Sequence, residues 1–105
     1  MIPYRKIIDR KTAQVRATLA ALDDLDIQNN NLKLGRNILE DWGRLIIAML
    51  GKLRAEEHIP LFEFSRRRAY RSHIGQELAF VERNLDRFFE ASSGEKFEKI
   101  FRGTE

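Results

Sequence analysis

Cysteine is absent from the sequence, and histidine and proline occur only twice each. Without cysteine the chain cannot form a disulfide, present a thiolate nucleophile or bind zinc through sulfur. The two histidines, His58 and His73, do not form a metal-binding set with the carboxylates, because no second histidine stands three or four residues from either. We therefore predict that the chain holds no metal ion and no other cofactor.

Long apolar runs are missing as well. The longest extends from Leu45 to Leu50, whereas a helix that crosses a bilayer needs roughly 20 predominantly apolar residues. The first six residues are not followed by the apolar core of a signal peptide, so we expect a cytoplasmic protein without a membrane partner. Of the 105 residues, 43% are hydrophobic and 33% are charged, which is the composition of a globular domain. We predict one domain over residues 1–105.

What the sequence does contain is a helical period in three long segments, where apolar residues recur every three to four positions. Patterns typical of strands are nearly absent. Ser65 is a plausible N-cap for the third segment, and Ser92-Ser93-Gly94 would end it. We predict three long helices and a short one, over residues 3–27, 32–57, 65–91 and 95–101.

The second segment has the widest apolar arc. A wide arc predicts contact with two neighbours, so this helix should be the central one. Short links favour antiparallel neighbours. The predicted fold is therefore all-α, an antiparallel up-down bundle of three long helices with a short C-terminal fourth helix. The arc comprises Ile38, Leu39, Trp42, Leu45, Ile46, Met49, Leu50 and Leu53.

Charge is distributed unevenly along the chain, although the net charge is only +3. Residues 1–18 and residues 65–72 each carry a net charge of +4. In an antiparallel bundle the first and third helices begin at the same end, so the two stretches should form one basic pole. We define the basic pole as Arg5, Lys6, Arg10, Arg66, Arg67, Arg68 and Arg71, with His73 beside them.

Arginines at helix N-termini go against the helix dipole, which already places about half a positive charge there. The same combination binds phosphate or carboxylate well, because backbone N–H groups and guanidinium groups both donate hydrogen bonds to an anion. This favours a small non-enzymatic binding protein that docks an anionic partner, either nucleic-acid backbone or a nucleoprotein complex. The alternative is a solvated surface in which the arginines pair with Glu56, Glu57 and Glu63.

Three phenylalanines favour a different class of function. Phe80 falls outside the apolar stripe of its helix, and Phe62 and Phe64 lie between the second and third helices. Together they could form an interface with another protein or with a second copy of the chain. This predicts a protein–protein adaptor or regulatory subunit, such as a phage- or plasmid-type inhibitor or a small subunit of a larger assembly.

The segment from Arg66 to His73 resembles the Arg-x4–6-His motif of HEPN ribonucleases, which are small helical bundles. The resemblance covers this motif and the helical class. It implies that an arginine of the segment and His73 act together on an RNA phosphate at a dimer interface, without a metal ion. A metal-independent ribonuclease is therefore the third hypothesis.

Overall fold

The computed structural model describes residues 4–56 and 64–102, with side chains over residues 4–55 and 75–99. Within these ranges the chain forms four α-helices and no strand. This confirms the predicted all-α fold of three long helices followed by a short one. The helices are α1 (Tyr4–Asp23), α2 (Asn30–Glu56), α3 (Phe64–Ser92) and α4 (Gly94–Arg102).

The link between α1 and α2 begins earlier and ends earlier than the sequence predicts. α1 ends at Asp23 rather than at residue 27, where further aspartates would meet the negative end of the helix dipole. The side chain of Asn29 accepts hydrogen bonds from the backbone N–H of Asn31 (2.8 Å) and of Leu32 (3.3 Å). Asn29 is thus the N-cap of α2, which starts two residues before the predicted position.

The start of α3 also differs from its predicted position. α3 begins at Phe64, so Ser65 lies inside the first turn and its predicted role as N-cap is wrong. A serine hydroxyl can hydrogen-bond to nearby backbone groups both at the N-cap and in the first turn of a helix. The residue type alone therefore does not show which of these two positions Ser65 takes.

Contacts between side chains establish the direction of the helices. The Arg54 Nε atom lies 2.7 Å from the Asp9 Oδ1 atom, and the rings of Trp42 and Phe88 lie 5.8 Å apart. The first contact joins the start of α1 to the end of α2, so these helices are antiparallel. The second contact packs the end of α3 against the middle of α2, and α3 is antiparallel to α2 because it runs parallel to α1.

α1 and α3 are parallel and in a fixed register. The Lys11 Nζ atom lies 3.2 Å from the Glu82 Oε1 atom. A Cβ atom placed on Gly75 would lie 3.3 Å from the Tyr4 hydroxyl oxygen. Each pair joins residues 71 positions apart. α1 and α3 therefore begin at the same end of the molecule, and α3 extends further at that end.

The core runs along α2, which contacts all three of the other helices, as predicted for the central helix. Gly43 is buried and allows Leu19 of α1 and Phe88 of α3 to approach the α2 backbone. The buried apolar side chains are Ile8, Val15, Leu22, Leu39, Ile46, Leu50, Leu53, Leu78, Val81, Leu85, Phe88 and Phe97.

The predicted apolar arc of α2 is wider than the core that covers it. Ile38 and Leu45 are 55% and 63% exposed, so the prediction that neighbouring helices cover the whole arc is wrong at these positions. α1 and α3 lie against adjacent sides of α2 and leave a third side open to solvent. The arc therefore includes an apolar surface that the fold does not use.

α4 folds back after a bend at Ser93 and contacts both α2 and α3, with Phe97 buried. The Lys96 ammonium group binds the Glu90 carboxylate across the bend. The hydrogen bond and the positive charge of Lys96 lower the pKa of Glu90 below its ordinary value.

We predict that Lys96→Gln returns the pKa of Glu90 to the ordinary range of a glutamate. The ion pair stabilises the fold above the ordinary pKa of glutamate, and this contribution is lost as the pH falls through the lowered pKa. An NMR titration of the Glu90 carboxyl carbon measures the change. An unchanged titration midpoint in the variant would contradict the ion pair, and Lys99→Gln is the control on the same helix.

Candidate functional site

The α1 half of the basic pole is exposed and free of counter-charges among the described side chains. Arg5, Lys6 and Arg10 are exposed on the first turns of α1, and none of them has an ion pair there. The one acidic residue between positions 1 and 18 is Asp9, which binds Arg54 of α2. The Asp9 carboxylate, which could have offset the positive charge of this half of the basic pole, is thus paired with an arginine on a different helix.

The α3 half of the basic pole lies on the part of α3 that extends past the start of α1. Arg66, Arg67, Arg68, Arg71 and His73 stand on its first ten residues, and their side chains lie outside the described ones. The predicted approach of these side chains to α1 therefore stays a prediction.

The register between α1 and α3 places Arg5 level with Gln76, nine residues beyond Arg67. At 1.5 Å per residue the two arginines are offset by about 14 Å along the helix axis. The whole pole, from Arg66 to the level of Arg10, spans about 22 Å. Its positions follow one another along the bundle as a row rather than as a compact cluster.

The other residues predicted to act at this end are only partly described. Glu56 ends α2 with its side chain outside the described residues, and Glu57 and Glu63 lie outside them altogether. Pairing of these glutamates with the arginines stays a prediction. Phe62 also lies outside the described residues, and Phe64 begins α3 with an undescribed side chain. The third predicted interface residue, Phe80, is 49% exposed.

Arg66 and His73 lie on the same helix, seven residues apart, so their Cα atoms share one face of α3. The side chains of both residues lie outside the described ones, so the ribonuclease motif stays a prediction. Within residues 4–55 and 75–99 no three or more histidine or acidic side chains are grouped so that they could hold a metal ion.

Sequence reasoning missed a charged cluster on α2. Glu40 is 9% exposed and lies between two arginines, with its carboxylate oxygens 3.4 Å from Arg36 Nε and 3.3 Å from Arg44 Nη2. Arg36 also donates a hydrogen bond to the Leu25 carbonyl (3.1 Å) and so holds the α1–α2 link against α2. The four-residue spacing of the three charges was the available signal. We infer a structural role, since each arginine of the cluster already has a protein partner.

Sequence reasoning also missed an exposed apolar surface, which we call the α2 stripe. Leu34, Ile38 and Leu45 are 60%, 55% and 63% exposed and lie on one face of α2. The face points away from α1, which contacts α2 at Gly43 and Arg54. Isolated exposed apolar residues need no explanation, but three large apolar side chains on one helical face form an apolar stripe.

None of the helices in the described ranges is long and apolar enough to cross a membrane. The chain matches no family model, and no curated protein or solved structure shows significant similarity to it.

Proposed function

We propose that this chain is a non-enzymatic binding protein that docks the backbone of a nucleic acid on its basic pole. The observation that carries the proposal is the exposed set of Arg5, Lys6 and Arg10, with no counter-charge among the described side chains, at the end where α3 begins with four further arginines. Lysine and arginine neutralise backbone phosphates without reading the bases, so binding should depend weakly on sequence.

The shape of the pole favours an extended polyanion over a single phosphate. Double-stranded DNA carries one negative charge per roughly 1.7 Å of axis and rises about 3.4 Å per base pair. A row of about 22 Å therefore matches about six base pairs. A compact phosphate site would instead require the cations to converge on one point, and the offset between α1 and α3 separates their positions.

The helix termini support the same reading. Neither α1 nor α3 has an acidic residue in its first turn, although acidic residues are favoured there. The first turn of each of these helices therefore carries no acid that would offset its positive partial charge. An anionic partner would supply the missing negative charge and stabilise both helix starts.

The test compares two triple variants of equal charge in a salt titration of duplex binding, measured by fluorescence anisotropy. For Arg5→Gln, Lys6→Gln, Arg10→Gln, we expect the slope of log K against log salt to become shallower by about 2.7, because three phosphate contacts are lost at about 0.9 each. The control replaces Lys33, Arg87 and Lys99, which lie away from the pole, by glutamine. We expect its slope to match that of the unmodified protein.

Two outcomes would overturn the proposal. One is the absence of any binding by the unmodified protein at low salt, and the other is an equal loss in both triple variants. The same assay with single-stranded RNA tests the ribonuclease hypothesis. RNA that is shortened by the unmodified protein and left intact by His73→Ala would replace binding with cleavage as the function.

A second function, that of a protein–protein adaptor, is favoured by one specific observation, the exposed aromatic side chain of Phe80. A partner on this surface would be recognised through apolar contacts and not through phosphate. Its binding would survive neutralisation of Arg66, Arg67 and Arg68 by alanine, whereas nucleic-acid binding would be weakened by it.

A further inference from the structure

We propose that the α2 stripe pairs with the α2 stripe of a second copy of this chain, with the two helices antiparallel and related by a two-fold axis. The inference rests on α2 alone and does not depend on the proposed nucleic-acid binding. A second copy is the expected partner because the exposed face of α2 is complementary to itself in one direction only.

The exposed face of α2 follows a heptad repeat. Its positions are separated alternately by four and three residues, which is the spacing of a coiled-coil seam. The side chains at these positions are exposed, the three large apolar ones by more than half. The seam consists of Leu34, Ile38, Asp41, Leu45, Ala48, Lys52 and Ala55.

No other described helix covers the seam. α1 contacts the opposite side of α2 at Gly43 and Arg54, and α3 contacts the adjacent side, where Trp42 meets Phe88. α4 also contacts α2, and the seam side chains stay exposed beside it. The exposed side chains of the seam are therefore accessible to a second α2. The seam from Ile38 to Ala55 is about 26 Å long.

An antiparallel pairing matches large residues with small ones and positive charge with negative charge. When Leu45 faces Ala48 of the second copy, the same register places Ile38 opposite Ala55. It also places Asp41 opposite Lys52. The two-fold axis repeats each of these three pairs, which gives six layers from Ile38 to Ala55. Leu34 lies outside these layers. Alternation of large and small side chains allows the two helices to approach closely.

A parallel pairing has the opposite property. Each Asp41 would face the other Asp41 and each Lys52 the other Lys52, and like charges placed together oppose association. The Asp41 carboxylate is accessible for the antiparallel pair, because its side chain is 77% exposed although it also binds Arg44. Lys52 has no ion pair among the described side chains. Glu56 stands four residues after Lys52, and its side chain is not among those described.

Two helices that pair over about 26 Å bury less surface area than the roughly 1,600 Å² of a standard protein–protein interface. Because the buried area is small, we expect reversible association. In the dimer the two basic poles lie at opposite ends, because the two-fold axis passes through the middle of the α2 pair.

The experiment is sedimentation velocity of the full chain over a range of concentrations, with circular dichroism to establish that each variant is folded. We expect Leu45→Glu to weaken the dimer by at least about tenfold, since it places a carboxylate opposite Ala48 in both halves of the seam. Leu25→Glu is the matched control, because Leu25 is an exposed leucine (41%) outside the seam. We expect it to leave the association unchanged.

Exchanging the charges of Asp41 and Lys52 distinguishes the proposed register from an apolar contact that has no fixed register. Asp41→Lys and Lys52→Asp should each weaken the dimer by about tenfold or more, because each creates two like-charge pairs. The double variant restores both pairs with no change in net charge, so we expect it to return to within about threefold of the unmodified protein. Local effects on α2 persist in the double variant and cannot produce this rescue.

Three results would overturn the proposal. The first is an unmodified chain that stays monomeric at the highest concentrations, and the second is an equal effect of the two leucine substitutions. The third is a double charge variant that associates no better than the single ones. Unchanged association in Leu45→Glu, with dimers still present, would assign the interface to another surface such as that around Phe80.

Discussion

Replacement of Phe88 by alanine is expected to lower the free energy of unfolding by about 3–5 kcal/mol, the range for loss of a buried phenylalanine. Phe88 is fully buried and lies where α2 and α3 cross. Its ring packs edge-on against Trp42, at 5.8 Å and 84°, and lies 5.6 Å from the ring of Phe89. The truncation removes these contacts and leaves a cavity beside Gly43, which has no side chain to fill it.

Phe80→Ala is the control for this substitution. It makes the same chemical change on the same helix, eight residues earlier, at a position that is 49% exposed. We expect a loss of about 1 kcal/mol or less. Urea denaturation followed by circular dichroism, at a concentration where the chain is monomeric, measures both. Similar losses in the two variants would contradict the assignment of Phe88 to the centre of the core.

The second large effect concerns two glycines on α2 that should respond with opposite signs. A Cβ atom on Gly43 would lie 2.7 Å from Leu19 Cδ2 and 3.0 Å from Phe88 Cζ. The resulting overpacking costs about 1–3 kcal/mol and outweighs the gain of about 1 kcal/mol from helix propensity. We therefore expect Gly43→Ala to destabilise the protein by about 1 kcal/mol.

Gly51→Ala supplies the comparison, because a Cβ atom there meets nothing within 4 Å. We expect this variant to be more stable by about 0.5–1 kcal/mol, from the reduced entropy of the unfolded chain. Stabilisation by both substitutions would contradict the close approach of α1 to α2. Leu19→Ala should reduce the cost of Gly43→Ala when the two are combined, and a double-mutant cycle measures that coupling.

The helices could be predicted from the sequence because each apolar face repeats with the period of a helix. Val15 and Leu22 of α1, or Val81 and Leu85 of α3, each stand on such a face and are buried. Their order and direction followed from the short links. The helix ends were harder to predict. The start of α2, for example, is set by backbone N–H groups that donate hydrogen bonds to the Asn29 side chain, and the sequence does not specify that geometry.

The extent of the core could not be predicted in the same way. Ile38 and Leu45 belong to the same apolar arc as the buried Leu39 and Ile46, and periodicity does not distinguish them. How much of the arc is covered depends on the angle between the two neighbouring helices as seen from α2. That angle is set by contacts such as Leu19 against Gly43, which are separated by many residues in sequence.

The candidate site could be predicted only as a set of charges. The sequence identifies which residues are basic, but the engagement of Asp9 by Arg54 joins positions 45 residues apart. The axial offset between the two halves of the basic pole likewise follows from the register of α1 on α3. Neither relation has a local sequence signal, because both depend on the axial register in which the long helices pack.

The position of α2 between its sequence neighbours has a consequence for the speed of folding. α1 and α2 form a hairpin across the link between Asp23 and Asn30, and α2 and α3 form a second one, whereas α1 meets α3 only sparsely. Chains whose contacts are mostly local have low contact order and fold within microseconds to milliseconds. We expect fast folding in which either hairpin can form first. The remaining helix then packs against the α2 of that hairpin.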